Sequence, residues 1–151
     1  TAPARESGIR SVSLRFGVVL SPSGGALAKM LIPFRAGFGG RIGSGRQYMS
    51  WIALDDAVTA VRHVIDNEAL TGAVNAVAPN PVTNGEFARA LGQALRRPAL
   101  LPLPAWAARL VMGEMAEELL LASTRVEPRK LLDSDCSFGF PELAGALDHL
   151  L

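Results

Sequence analysis

The residues best placed to do chemistry in this 151-residue sequence stand between Gly37 and Asp56, in the run G-F-G-G-R-I-G-S-G-R-Q-Y-M-S-W-I-A-L-D-D. Five glycines fall within nine residues, so backbone N–H groups there can approach a ligand closely and reach positive φ. Arg46 and Gln47 follow the last of them and add side-chain donors, the guanidinium being suited to phosphate or carboxylate. Two readings stay open: a binding loop held between ordered elements, or a surface connection whose glycines only reverse the chain. Gly37, Gly40 and Gly43 also satisfy G-x-x-G-x-x-G, a spacing found in some phosphate-cradling loops. Such a loop needs a strand before it and a helix starting within it, so that phosphate meets the helix N-terminus. Here a helical segment precedes and a strand follows, so the context is reversed and the match is set aside.

Reactive groups are sparse elsewhere. His63 and His149 each stand alone on predicted helices and read as solvated or structural. A single cysteine, Cys136, excludes an internal disulfide and a cysteine-rich zinc site, so no metal is expected. A net charge of +1, with basic residues scattered singly, gives no footprint for nucleic acid. The most apolar window, Pro98 to Ala116, contains three prolines, Arg109 and Glu114, which argues against a membrane-spanning helix of ~20 residues. With no secretory signal at its start, a cytoplasmic protein is expected. The chain begins at Thr1, in what reads as the end of a helix, and is expected to be a fragment lacking its first half.

The elements that must position these residues follow from periodicity. Ile9 to Val19 alternates Val12, Leu14 and Phe16 and reads as a strand covered on both faces. Ser21 to Gly25 breaks it, and Ala26 to Ala36 places Leu27, Met30, Leu31 and Phe34 at helical spacing, with Pro33 bending or shortening the helix. Tyr48 to Leu54 is β-prone. Asp55 or Asp56 caps a helix to about Asn67, whose stripe is Val58, Val61 and Ile65, with Ala57 and Val64 beside it. Ala73 to Ala78 is a short strand. Thr83 to Arg97 opens on a T-N-G-E capping box with Phe87, Leu91, Ala94 and Leu95 inward. After Pro98 the strands stop, and helices are predicted at 105–112, 114–123, 128–133 and 141–151. The expected fold class is α/β, with residues 1–97 as the α/β part and 98–151 as a small helical domain.

This order of elements resembles the second half of extended short-chain dehydrogenases/reductases, and more closely the atypical sugar-nucleotide epimerase-like family. The resemblance rests on R-F-G-V-V-L (Arg15–Leu20), the run from Gly24 to Gly40, G-S-G-R-Q (Gly43–Gln47), S-W-I (Ser50–Ile52) and N-x-x-x-P (Asn75–Pro79). Gly113–Leu121 and R-V-x-P-R-K-L-L (Arg125–Leu132) are similar to the helical domain that closes the same family. The resemblance implies the C-terminal part of a Rossmann-like fold and an NAD or NADP cofactor bound mainly by the absent half. It implies that Phe16, Gly17 and Val19 pass along the nicotinamide, largely through backbone. It implies a small-molecule substrate met by Arg46, Gln47 and Trp51.

Two departures bear on that substrate. Sugar-nucleotide epimerases resemble R-D-[YF]-I-H-V-x-D at this point, which places Met49 at the diphosphate-binding arginine and Ala53 at the histidine. The Tyr-x-x-x-Lys pair that moves the proton is also missing: the one tyrosine is Tyr48, and neither Lys29 nor Lys130 stands four residues after it. No catalytic residue is therefore expected in this chain. A competing reading is an interaction module, with Leu110, Val111, Met115, Leu119 and Leu120 as its surface. The same stripe also suits core packing or the seam of a homodimer of the full-length protein.

Overall fold

The computed structural model describes residues 7–99, 102 and 123–151. The first strand run is divided at Gly17 into β1 (Val12–Phe16) and β2 (Val18–Leu20). β1 pairs in parallel with β5 (Gly72–Ala76), Val12 opposite Gly72 and Phe16 opposite Ala76. β2 pairs in parallel with β4 (Trp51–Ala53), Val18 opposite Trp51. The change of partner occurs within two residues: the Gly17 N–H donates to Ala76 O (3.3 Å) and the Val18 N–H to Ser50 O (2.8 Å). A Cβ on Gly17 would lie 2.4 Å from Ser50 O and 2.9 Å from Val77 Cγ1. Only glycine lets the backbones cross there.

Parallel strands need crossover connections, and helices supply them. α1 (Gly25–Arg35) leads from β2 towards β4, and α2 (Leu54–Asp66) leads from β4 to β5. A small antiparallel pair, β3 (Tyr48–Met49) with β6 (Val82–Thr83), lies beside α3 (Asn84–Ala94). α4 (Arg129–Leu132) and α5 (Leu143–Leu150) complete the described elements. Among the described residues, no helix is long and apolar enough to cross a membrane. The mixed α/β architecture is the C-terminal portion of a Rossmann-like fold, as expected.

α1 buries the predicted Leu27, Met30, Leu31 and Phe34, and accommodates Pro33 inside the helix. α2 differs from expectation. Its N-cap is Ala53, and its buried face is Asp56, Ala57, Ala60 and Val64, whereas Val58 and Ile65 are 48% and 63% exposed. The side facing the strands takes small alanines and the Asp56 carboxylate, which turns the larger branched residues outward. β1 also departs from the reading of a strand covered on both faces, since Phe16 is 46% exposed. Its one strand partner among the described residues is β5.

Two clusters form the core. The larger joins α1 to β2, β4, α3 and α5 through Leu20, Leu27, Trp51, Phe87, Leu91 and Leu147. The smaller gathers Ala60 and Val64 of α2 with Val74, Leu131 and Cys136. Burial, and then the charge of Asp56, push the Cys136 thiol up, so it serves as a small apolar side chain. α5 begins at Leu143, after an Glu142 N-cap, rather than at Pro141. It buries Leu143, Ala146 and Leu147 in the same cluster as Phe87 and Leu91 of α3. The stripe of Leu110, Val111, Met115, Leu119 and Leu120 lies outside the described residues, as do the helices predicted over 105–112 and most of 114–123.

Leu147 is fully buried, so Leu147→Ala should cost ~2–5 kcal/mol, the range for emptying a packed leucine site. Thermal unfolding checks this, and a melting point unchanged from the parent would contradict the packing.

The capping box of α3 forms as predicted: the Thr83 N–H donates to Glu86 Oε2 (2.7 Å), and the Glu86 N–H donates to Thr83 Oγ1 (3.3 Å). The Thr83 backbone N–H, then the Thr83 hydroxyl, hold the Glu86 carboxyl below the usual 4.5, with Arg89 adding to the effect. A carboxylate whose folded pKa is lowered contributes stability above its unfolded pKa and loses it as pH falls through the folded value. Glu86→Gln should therefore lower stability at neutral pH and flatten the loss below pH 4.5, in denaturant titrations across the acid range.

Candidate functional site

A cleft of about 410 Å³ opens where β1 and β5 end. Phe16, Gly17 and Val18 line one side, Asn75 and Val77 the base of another, and Tyr48 to Ser50 face them. In open parallel sheets, ligands sit outside the carboxyl ends of the strands, because the connecting loops diverge there. The β1–β5 pair presents that end to the cleft. Arg15 is the charged residue lining it, and no carboxylate does so among the described residues.

The remaining wall is a strap, residues 123–126, fastened to β3 and its following serine. The Tyr48 N–H donates to Ser123 Oγ (3.1 Å), and the Thr124 N–H donates to Tyr48 O (3.1 Å). Ser50 then uses its hydroxyl twice, donating to Thr124 O (2.8 Å) and accepting from the Val126 N–H (2.9 Å). Ser50 is 5% exposed, so these bonds form away from competing water. Arg125 stands between the two fastened peptide groups. Its guanidinium carbon lies 5.0 Å from the centroid of the Tyr48 ring, the geometry of a cation–π contact.

The predicted site residues are dispersed by the structure. Phe16 and Gly17 line the cleft, whereas Val19 lines a separate apolar groove with Phe16 and α2. Trp51 is fully buried and its indole N–H donates to Asn80 O (3.0 Å). Arg46 is exposed and lies outside the cleft lining. Gln47 turns back into its own loop, its amide donating to Ile42 O (2.9 Å).

The glycine loop itself is docked on the start of α3. The Ile42 N–H donates to the buried Asn84 Oδ1 (2.7 Å), the Gly85 N–H donates to Gly45 O (2.9 Å), and the Asn84 N–H donates to Gln47 O (2.8 Å). A Cβ on Gly39 would lie 2.4 Å from the Phe34 ring, and Gly45 has φ of 69° against Gly85. These glycines serve close packing.

Both histidines have side-chain partners: His63 Nε2 lies 2.8 Å from Ser134 Oγ, and His149 Nε2 lies 2.9 Å from Asp55 Oδ2. Among the described residues, no cluster of three or more His, Cys, Asp or Glu could hold a metal. Arg15, Tyr48, Ser50, Asn75 and Thr124 are cleft residues that sequence reasoning did not assign. Arg15, Ser50 and Asn75 fall in the R-F-G-V-V-L, S-W-I and N-x-x-x-P runs, whereas Tyr48 and Thr124 fall in none of the motif runs.

Comparison with known proteins places this geometry. Residues 103–150 match a family model described as a domain of unknown function, DUF1731. An epimerase family protein of Mycobacterium bovis, Mb2239, is 47% identical over 149 residues, 99% of this chain and 50% of that protein. The crystal structure of human epimerase family protein SDR39U1 with NADPH superposes with a TM-score of 0.87 at 42% identity, over 94% of this chain and 48% of that one. UDP-N-acetylglucosamine 4-epimerase from Bacillus cereus superposes with a TM-score of 0.74 at 16% identity, which shows the shared fold. The chain spans about half the length of the relatives it matches. Over the half of their length that it spans, it matches the epimerase family proteins, consistent with an atypical extended short-chain dehydrogenase/reductase.

Proposed function

We propose that this chain supplies the substrate-facing part of an NAD(P)-dependent epimerase or reductase that acts on a small hydroxyl or carbonyl compound. The observation that carries the reading is the cleft at the carboxyl ends of β1 and β5, in a chain 42% identical to a relative solved with NADPH. The residues fit a nicotinamide edge. Phe16 is half-exposed at the cleft and offers an apolar face, and Gly17 leaves the backbone bare beside it. The nicotinamide would supply hydride transfer to or from a carbon of the substrate.

The chain's own residues have other work. Phe16 and Gly17 shape the ring's edge, Asn75 offers an amide donor, and the strap at 123–126 walls the cleft from bulk water. Proton transfer needs a positioned acid or base. Tyr48 has no lysine four residues after it, so the proposal assigns the Tyr-x-x-x-Lys pair and the nucleotide-binding glycine loop to a part of the protein beyond this chain. Met49, which stands where sugar-nucleotide epimerases carry an arginine, is 1% exposed and accepts a contact from Asn84 Nδ2 at 3.6 Å. The sugar-nucleotide diphosphate has no partner at that position, which favours a substrate anchored elsewhere.

In the full-length protein, NADPH fluorescence should change on binding, and Gly17→Val should abolish the change while a Leu54→Ala control retains it. The isolated chain should show no micromolar cofactor binding by calorimetry. Micromolar binding to the isolated chain, or a full-length protein silent towards NADPH and NADH, would overturn the reading.

A further inference from the structure

We propose that Arg125, seated on the Tyr48 ring, recognises an anionic group of the substrate, a phosphate or carboxylate, in the groove that adjoins the cleft. The inference rests on the proposed function for the word substrate, and on geometry for the anion. Arg125 is held both through its backbone and against its side chain. Ser50 fastens the peptide on each side of it, through Thr124 O at 2.8 Å and the Val126 N–H at 2.9 Å, and Tyr48 supplies the platform under its guanidinium at 5.0 Å. Holding the backbone and one face of the side chain lowers the rotamer entropy lost on binding a ligand. The guanidinium keeps its in-plane N–H fork for a bidentate acceptor, since the ring occupies only its face.

Charge points the same way. A second groove of about 470 Å³ shares Asn75 and Val126 with the cleft and is lined by Arg125, Arg129, Lys130 and Glu127. Glu127 is taken by Arg129, Oε2 to Nε at 3.1 Å, and Lys130 donates to Thr71 O at 2.7 Å. Neither acid nor carbonyl is recorded on the Arg125 guanidinium among the described residues. In the adjoining cleft Arg15 adds a further cation, and no carboxylate lines that cleft among the described residues. A low-dielectric wall with cations of one sign raises the local concentration of an anion.

The test uses the full-length protein at low ionic strength, with inorganic pyrophosphate and glutarate as separate probes, read by calorimetry. Arg125→Ala should weaken at least one probe about tenfold or more, the fold-change of a charge-assisted hydrogen bond. Arg125→Lys keeps the charge without the fork and should fall between the two. Tyr48→Phe keeps the ring and should bind like the parent, whereas Tyr48→Leu should lose roughly threefold, as expected for an exposed cation–π contact. Arg35→Ala, at an exposed position in the last turn of α1 and outside the linings of cleft and groove, is the control for unspecific charge loss. Preference for pyrophosphate assigns a phosphate, and preference for glutarate a carboxylate. Affinities of Arg125→Ala within about twofold of the parent for both probes would overturn the proposal. So would failure of both probes to bind at millimolar concentration. Probe binding that depends on Arg125 in a protein silent towards NADPH would leave the anion site standing and sink the functional reading instead.

Discussion

Two backbones in this fold pass closer than a side chain permits, and the rest of the described structure is arranged around that crossing. At Gly17 the strand leaves Ala76 and takes Ser50 as its next acceptor, with 2.4 Å between Ser50 O and the point where a Cβ would stand. The crossing lets β4 lie against β2 while Ala78, following β5, donates to the far side of β4 at Trp51 O, 2.6 Å away. The same residue that accepts from Val18 through its carbonyl fastens the strap through its hydroxyl. A small shift of Ser50 would thus move sheet and strap together. This couples the base of the cleft to its wall by covalent geometry rather than by side-chain packing.

The polar groups around the cleft fall into two populations. Ser50, Gln47 and Asn84 spend their hydrogen-bonding capacity on backbone and order the loops. Arg15, Arg125 and Arg46 are exposed, and of these Arg125 is the one whose guanidinium lies over an aromatic ring among the described residues. A buried donor or acceptor left unpaired costs about 1–3 kcal/mol, which is why the first population is saturated. Among the described residues no buried side-chain nitrogen or oxygen lacks a partner. Ligand recognition is left to exposed groups whose position is set by others.

How much of this was legible in the sequence depended on the range of the interaction responsible. The T-N-G-E box of α3 and the apolar spacing of α1 are local, and they form as read. The inward face of α2 was misread, because Val58 and Ile65 outrank alanine in hydrophobicity but not in fit against a close strand. The glycine run signalled a loop correctly, yet its purpose depended on Phe34 and Gly85, distant partners that no window contains. The cleft was the least legible part. Its walls come from residues 15–18, 48–50, 75–77 and 124–126, brought together by parallel pairing and one serine hydroxyl. The family motifs covering Arg15, Ser50, Asn75 and Arg125 marked these places without saying what they build.

The end of the chain illustrates how magnitudes rank the contacts that close a fold. Three devices bring α5 and the loop before it onto the body. Asp56, 3% exposed in the first turn of α2, accepts from the Gly139 N–H (2.7 Å) and the Phe140 N–H (2.9 Å). His149 stacks on Phe140, centroids 4.3 Å apart, and meets Asp55. Leu143 and Leu147 enter the larger core cluster. Each leucine contributes about 1.5–3 kcal/mol by leaving water. The His149–Asp55 pair is half-exposed on both sides, and such surface pairs contribute about 0–1 kcal/mol. Packing therefore holds the helix, and the ion pair adds little. The Asp56 carboxylate does something neither can: charge-assisted bonds to two successive N–H groups fix the direction in which the chain enters α5. That fixed entry sets which face of α5 meets α3, and so places Leu147 beside Phe87 and Leu91 in the core.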